Sequence, residues 1–136
     1  MAVTVIEPVM FRDTDASGIG HYIGMLRYVE RGEYALMEAI GHPASELYLG
    51  RLHFPRVHLE VDYRHPIRFG EYLRIEAGVI RIGTTSYTLG VAVYHRDDQS
   101  LRFQAAVTVV VVDAETMRPT PIPEALRAGL AQHLLD

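Results

Sequence analysis

Two carboxylates stand in a polar turn near the amino terminus, between Asp13 and Gly20. A helix is predicted to begin directly after this turn, at Tyr22. The first amides of a helix have no partner within it and carry the positive end of its dipole, so they stabilise an oxyanion that forms beside them. A carboxylate such as Asp15 can attack a carbonyl or activate water there. A carboxylate combined with the amides of a helix start suits thioester hydrolysis. A thiol has a pKa of about 8.5, so it leaves as the thiolate without much acid assistance.

Two other interpretations of this turn are open on spacing alone. Asp13 and Asp15 can organise the turn through hydrogen bonds from side chain to backbone, as Asp commonly does. The order Asp13, Asp15, Ser17, Gly18 also matches the first half of a calcium-binding EF-hand loop. The twelfth position of that loop is Gly24 where a bidentate Glu is needed, and a strand is predicted before the loop. Both features argue against calcium.

The composition bounds the class of protein. A chain of 136 residues that is 49% hydrophobic predicts one domain, residues 1–136, with a substantial core. The net charge of −4 and the lack of a basic cluster argue against nucleic-acid binding. The sequence contains no cysteine and no lysine, which excludes thiolate and Schiff-base chemistry. The histidines form no pair at established ligand spacing, so no metal and no cofactor are predicted.

No targeting or membrane segment is recognisable in the chain. The amino terminus lacks the basic start of a signal peptide. No apolar run approaches the roughly 20 residues that a membrane helix needs. A soluble cytoplasmic protein without membrane contact is therefore expected.

The elements that must position Asp15 can be read from the hydrophobic period. A β-rich segment from Val3 to Arg12 leads into the turn. From Tyr22 to Ile40 apolar residues recur at helical spacing, and Gly41 stands where a helix usually ends. A short second helix is predicted from Pro43 to Leu49, because proline suits the first helical turn.

After residue 54 the hydrophobic period changes from 3.6 to 2, which is typical of strands. Strands are predicted in four runs, at Phe54–Arg64, Leu73–Val79, Tyr87–Val93 and Leu101–Val112. A tail helix is predicted from Glu124. The order predicts an α+β fold in which one long helix covers one face of a five-stranded, mainly antiparallel sheet. The uncovered face and edges of that sheet predict a homodimer or homotetramer, and the sequence does not choose between the two.

The segment Asp13–Ile19, followed by Leu26–Glu30 in the helix, resembles the signature of the 4-hydroxybenzoyl-CoA thioesterase family. The segments Val61–Gly70, Gly83–Tyr87 and Met117–Pro123 resemble later parts of the same family in the same order. The similarity therefore covers nearly the whole chain. It implies a hotdog fold, in which the sheet wraps the long helix and two subunits join their sheets with active sites at the interface. It also implies hydrolysis of an acyl-CoA to the free acid and CoA.

The resemblance implies roles for individual residues. The second aspartate of the family motif is catalytic, which maps onto Asp15, either as nucleophile or as general base. Amides at the helix start polarise the thioester carbonyl, which maps onto the backbone near His21 and Tyr22. Some related thioesterases carry a histidine seven positions after the catalytic aspartate, where this chain has Tyr22. The role of the neighbouring His21 is therefore left open.

Further positions are candidates for contacts with the substrate acyl-CoA. They comprise the motif residues Gly18 and Ile19, the acyl-pocket candidates Phe54, Arg56 and His58, the turn residues Thr85 and Ser86, and the phosphate-binding candidate Arg81. The acyl group itself is not predicted, and neither are the CoA phosphate contacts as a set. An alternative on the same fold is a non-catalytic protein that binds acyl-CoA or an acyl carrier, because a fold does not establish an activity. A dehydratase is disfavoured, because the helix carries no histidine after His21.

Overall fold

The chain follows the predicted order of one strand, one long helix and a run of strands. The computed structural model describes residues 1–41 and 50–136. The predicted second helix, Pro43–Leu49, lies outside these residues. The elements are β1 (Val3–Pro8), a 3-10 turn (Phe11–Asp13), α1 (Tyr22–Ile40), β2 (Leu52–His53), β3 (Arg56–Tyr63), β4 (Tyr72–Ile82), β5 (Ser86–His95), β6 (Leu101–Val110), β7 (Val112–Asp113) and α2 (Glu124–Ala131).

Five strands form one antiparallel sheet in the order β1-β4-β5-β6-β3, and β2 pairs with β7 separately. The alternating residues of these strands place their apolar side chains on one face, where α1 packs against β1, β4 and β5. The core includes Val29 and Leu36 of the helix and Ile75, Leu89, Val91 and Phe103 of the sheet. The predicted α+β architecture is confirmed.

The limits of α1 agree with the sequence prediction for a local reason at each end. The backbone of His21 is extended and its side chain caps the helix. Gly41 ends the helix in the left-handed conformation, with φ at 85°, which favours glycine. Both signals lie within a few residues of the helix end and can therefore be read from the sequence.

The predicted strand Leu101–Val112 is divided in the structure. β6 ends at Val110, and Val112 pairs with His53 in the small second sheet. β6 lies between β5 and β3, so it is an interior strand. β3 has only β6 as a partner among the described residues, so one of its sides is an open edge. No helix in the described part of the chain is long and apolar enough to cross a membrane.

Candidate active site

The residues from Asp13 to Gly20, here called the Asp15 loop, form a small closed hairpin between the 3-10 turn and α1. Thr14 and Gly20 face each other as an antiparallel bridge. Inside it, the amide of Asp15 donates to the carbonyl of Ile19 at 2.8 Å, and the amide of Gly18 donates to the carbonyl of Asp15 at 3.0 Å. The loop therefore fixes the backbone of Asp15 through its own hydrogen bonds.

The two carboxylate oxygens of Asp15 have different surroundings. Oδ1 accepts hydrogen bonds from the hydroxyl and the amide of Ser17, the latter at 2.8 Å, and from the amide of Ile19 at 3.3 Å. Oδ2 has no hydrogen-bond partner among the described residues, and the side chain is exposed. The Ser17 hydroxyl, followed by the Ser17 amide, holds the pKa of Asp15 below its ordinary value. One oxygen thus organises the turn, while the other has no partner within the described chain.

Removing the Ser17 hydroxyl is expected to move the acid limb of the pH profile. If the ionised Asp15 is the active form, the acid limb of kcat/KM lies below the ordinary carboxyl value of 3.8. Ser17→Ala removes the largest cause of that depression, so the limb is expected to move to higher pH. Rates of thiol release from neutral pH down to about pH 2.5 follow both limbs and measure the shift. Thr116→Ala, which removes a comparable hydroxyl contact to Asp113, should leave the limb in place.

Asp13 differs from Asp15 in being buried, with 1% of its surface exposed. Its Oδ2 accepts a hydrogen bond from the hydroxyl of Tyr28 at 2.9 Å, and that hydroxyl accepts from the amide of Met10 at 2.9 Å. Burial, together with the bond to Asp13, raises the pKa of Tyr28 to about 12. The Nε of Arg27 lies 2.8 Å from Asp13 Oδ1 as an ion pair, without the alignment of a hydrogen bond. Asp13 therefore joins the loop to α1.

The start of α1 presents unpaired amides beside the Asp15 loop. The Nδ1 of His21 accepts from the amide of Gly24 at 2.8 Å, and His21 Nε2 lies 3.3 Å from the carbonyl of Arg12. The amides of Tyr22 and Ile23 have no hydrogen-bond partner in the part of the chain that is described. Both ring nitrogens of His21 are therefore occupied by structural contacts, whereas two backbone donors are free.

Gly24 lets the helix start approach the Asp15 loop closely. A Cβ at this position would lie 2.6 Å from the carbonyl oxygen of Asp13 and 2.7 Å from its Cα. The amide of His21 also donates to that carbonyl, at 3.0 Å. The free amides of the first helical turn are thus held at a fixed place relative to the loop by backbone contacts.

Exposed aromatic side chains surround this region. The side chain of Tyr22 is 68% exposed, and its carbonyl lies 3.5 Å from the hydroxyl of Tyr63. Phe11 and Phe69 pack edge to face, with ring centres 5.5 Å apart, yet each is more than half exposed. An apolar surface of this kind around a charged side chain is typical of a binding site or a subunit contact.

A cavity of about 640 Å³ opens between α1, β1 and the start of β3. This volume is within the usual range of small-molecule sites, about 300 to 1000 Å³. Phe54 and Arg56 line it, as do Asp13, Tyr28, Glu33 and Tyr87. Asp15 does not line the cavity, and neither does His58, whose Nε2 lies 3.0 Å from Glu60 Oε1.

Glu33 brings a carboxyl into the wall of this cavity. Its burial raises its pKa, and the nearby guanidinium of Arg56 opposes the rise. Arg56 Nε lies 3.4 Å from Glu33 Oε1, but that oxygen has no hydrogen-bond partner among the described residues. The wall therefore combines aromatic rings with a charge pair, a feature that sequence spacing did not indicate because Glu33 and Arg56 are distant in the chain.

The remaining candidates fall into two groups at opposite ends of β4. Gly18 and Ile19 belong to the Asp15 loop beside the start of β4, whereas Thr85 and Ser86 follow its end. An extended strand rises about 3.3 Å per residue, so the 11-residue β4 separates the two groups by about 30 Å. Arg81 donates to the hydroxyl of Thr88 at 3.4 Å at that far end. A single chain does not bring these three residues to Asp15.

The comparisons with known proteins agree with this architecture. The family model of the thioesterase-like superfamily matches residues 9–130. A 1,4-dihydroxy-2-naphthoyl-CoA hydrolase of Prochlorococcus marinus is 25% identical, over 87% of this chain and 82% of its own length. The acyl-CoA thioester hydrolase YbgC of Escherichia coli is 25% identical, over 91% of this chain and 92% of its own length.

Solved structures share the fold over most of the chain. A 1,4-dihydroxy-2-naphthoyl-CoA thioesterase from Synechocystis superposes with a TM-score of 0.90 at 15% identity, covering 96% of each chain. A thioesterase superfamily protein from Jannaschia superposes with a TM-score of 0.86 at 25% identity, covering 99% of this chain and 94% of the other. The chain belongs to the thioesterase-like superfamily. The predicted hotdog fold, the family resemblance and the class of thioester hydrolase are confirmed.

Proposed function

We propose that this protein hydrolyses an acyl-CoA thioester with Asp15 as the reacting carboxylate. The observation that carries the proposal is the free Oδ2 of Asp15 in a loop that leads directly into α1, whose first amides, those of Tyr22 and Ile23, are unpaired among the described residues. The carboxylate is ionised at neutral pH, as an aspartate of ordinary pKa already is, and Ser17 lowers that pKa further. The relatives named as acyl-CoA hydrolases support the substrate class.

The chemistry divides between the carboxylate and the helix start. Asp15 either attacks the thioester carbon to form an anhydride, which water then hydrolyses, or takes a proton from the attacking water. In both routes the carbonyl oxygen gains negative charge, which the amides of Tyr22 and Ile23 stabilise. The carbon–sulfur bond then breaks and CoA leaves as the thiolate. His21 serves as the cap that sets the helix start, because both ring nitrogens have structural contacts.

The test is thiol release from a panel of short, long and aromatic acyl-CoAs. We expect turnover of at least one of them, with a free acid as the second product. The cavity lined by Phe54 and Arg56 is the proposed acyl site, because its volume suits a small acyl group. Tight binding of acyl-CoA without any thiol release would favour the alternative, a non-catalytic acyl-CoA or acyl-carrier binding protein.

We also propose that two copies pair through β3. The eight residues of this strand form an open edge with exposed apolar side chains, 58% for Val57 and 47% for Leu59. The unpaired backbone groups of a long open edge are a template for pairing with another chain. Two-fold symmetry would place the two β3 strands antiparallel.

Such pairing would complete the site with residues of the second copy. Tyr63 ends β3 near Tyr22, whereas Arg56 begins it near Phe54. In an antiparallel pair the Arg56 end of one copy lies beside the Tyr63 end of the other. Thr85 lies at the same end of the sheet as Arg56. The amide of Val111 donates to the carbonyl of Thr85, and the neighbouring amide of Val110 donates to the carbonyl of Pro55, which precedes Arg56.

A charge in the middle of β3 is expected to separate the two copies. In Leu59→Arg two like charges would face each other near the two-fold axis. The mass in solution should therefore move towards the 15.3 kDa of one chain. Most of the activity should be lost with the second copy. Light scattering measures the mass. Ile80→Arg changes a side chain of similar exposure, 49%, on an interior strand and should keep the oligomer. Dissociation by Ile80→Arg alone would place the interface on the sheet face instead.

A further inference from the structure

The turn between β3 and β4, residues 66–71, holds the Asp15 loop from outside. The amide of Gly20 donates to the carbonyl of Ile67 at 2.8 Å, and the amide of Phe69 donates to the carbonyl of Gly18 at 2.8 Å. Between these two bonds lies Ile19, whose amide and carbonyl both bond to Asp15. The place of the carboxylate is therefore tied to the place of the turn.

A buried guanidinium holds the same turn from its other side. Arg102, on β6, has 8% of its surface exposed. Its Nη1 donates to the carbonyl of Pro66 at 2.6 Å and to Glu71 Oε1 at 3.1 Å. The same Oε1 accepts from the amide of Arg68 at 2.7 Å. One arginine and one glutamate thus fix both ends and the middle of the turn.

The arginine is itself fixed by the hairpin between β5 and β6. Arg102 Nε donates to the hydroxyl of Ser100 at 3.0 Å, and Nη2 lies 3.6 Å from Asp98 Oδ2. The Nε2 of His95 lies 3.5 Å from the second oxygen of Glu71. A planar guanidinium with several donors can serve these acceptors together, which an ammonium on a flexible stem does less well.

We propose that Arg102 and Glu71 are positioning residues for Asp15, acting through the turn 66–71 and the loop residues that it binds. Neither side chain has a contact with Asp15 among the described residues. Their effect passes through backbone hydrogen bonds to Gly18 and Gly20, so they set where the carboxylate stands and not how the acyl-CoA binds. The inference rests on the proposed role of Asp15.

The test compares Arg102→Gln and Arg102→Lys with the wild type. A small displacement of a reacting group lowers the rate of the chemical step, so kcat is expected to fall about 10-fold in Arg102→Gln, with KM within about 2-fold. Hydrogen exchange at the amides of Gly20 and Phe69 should become about 10-fold faster. Arg102→Lys keeps a donor to Pro66 but cannot serve all of the acceptors together, so it should recover part of kcat.

Two further variants separate positioning from general stability. Arg74→Gln removes another partly buried arginine of the sheet and should keep wild-type kcat. Arg74 donates to Gln99 at 2.7 Å and lies over the ring of Tyr94. Glu71→Gln keeps the buried arginine and its shape, and it should lower kcat about 3-fold. If Arg102→Gln does not fold, the kcat of Glu71→Gln and its exchange rates at Gly20 and Phe69 decide the question.

The outcomes are distinct from those for the proposed function. If the wild type releases thiol and a folded Arg102→Gln has unchanged kcat, or if the amides of Gly20 and Phe69 keep their protection, the inference is wrong. A fall in kcat equal to that of Arg74→Gln also overturns it, because the effect would then be one of stability. If no acyl-CoA is hydrolysed, the proposed function fails, and the exchange rates still decide whether Arg102 holds the loop.

Discussion

Asp15→Asn is expected to lower kcat for acyl-CoA hydrolysis by about 1000-fold or more, with the fold and the binding of acyl-CoA retained. Asparagine keeps an oxygen that can accept from the amides of Ser17 and Ile19, so the turn should survive. It has no negative charge and is neither a nucleophile nor a base at neutral pH. Thiol release gives kcat, and calorimetric titration with acyl-CoA gives the affinity.

Asp113→Asn is the matched control for this prediction. The Oδ1 of Asp113 organises a turn in the same way, accepting from the amides of Glu115 and Thr116 at 2.9 Å each, and these bonds lower its pKa. It lies in β7, where it pairs with Leu52 of the small second sheet. Its replacement should leave kcat unchanged. Equal activity of Asp15→Asn and the wild type would remove Asp15 from the mechanism.

Gly24→Ala is expected to lower kcat by about 100-fold, because the helix start must move away from the Asp15 loop. The added Cβ would lie 2.6 Å from a backbone oxygen of Asp13, which has no flexible end that can give way. Overpacking of this kind costs roughly 1 to 3 kcal/mol, so the protein should still fold. Enzyme kinetics together with thermal unfolding measure both effects.

Ala39→Gly gives the control for helix stability. Ala39 is exposed near the other end of α1. Glycine there costs about 1 kcal/mol without a steric contact, so stability should fall and kcat should stay near that of the wild type. If Gly24→Ala keeps wild-type kcat, the placement of the free amides against Asp15 does not matter for the reaction.

Much of the fold could be predicted because its signals are local. The period of 3.6 and the glycine after Ile40 gave the limits of α1, and the period of 2 gave the strands within a few residues. The division after Val110 was not predicted. It depends on the pairing of Val112 with His53, and those two residues are far apart in the sequence.

The candidate site was predictable only in its local part. The Asp15 loop and the helix after it are contiguous, so their order could be recognised. Spacing alone did not distinguish the environment of Asp13 from that of Asp15. The difference comes from Tyr28 of α1, 15 residues after Asp13, whose hydroxyl donates to the buried carboxylate of Asp13. Glu33 and Arg102 were missed for the same reason: their partners are contributed by other elements. A glycine in the first turn of a helix, as at Gly24, was the one local sign of close backbone approach.

The Asp15 loop and the cavity are built from almost separate sets of residues. The loop is held by its own hydrogen bonds and by the turn 66–71, whereas the cavity is lined by side chains of α1, β1 and the start of β3. They share Asp13, which is held by Tyr28. Substitutions such as Phe54→Leu or Tyr34→Phe can therefore change the shape of the cavity without moving the carboxylate. A protein divided in this way can acquire a new acyl preference during evolution while its chemistry is conserved.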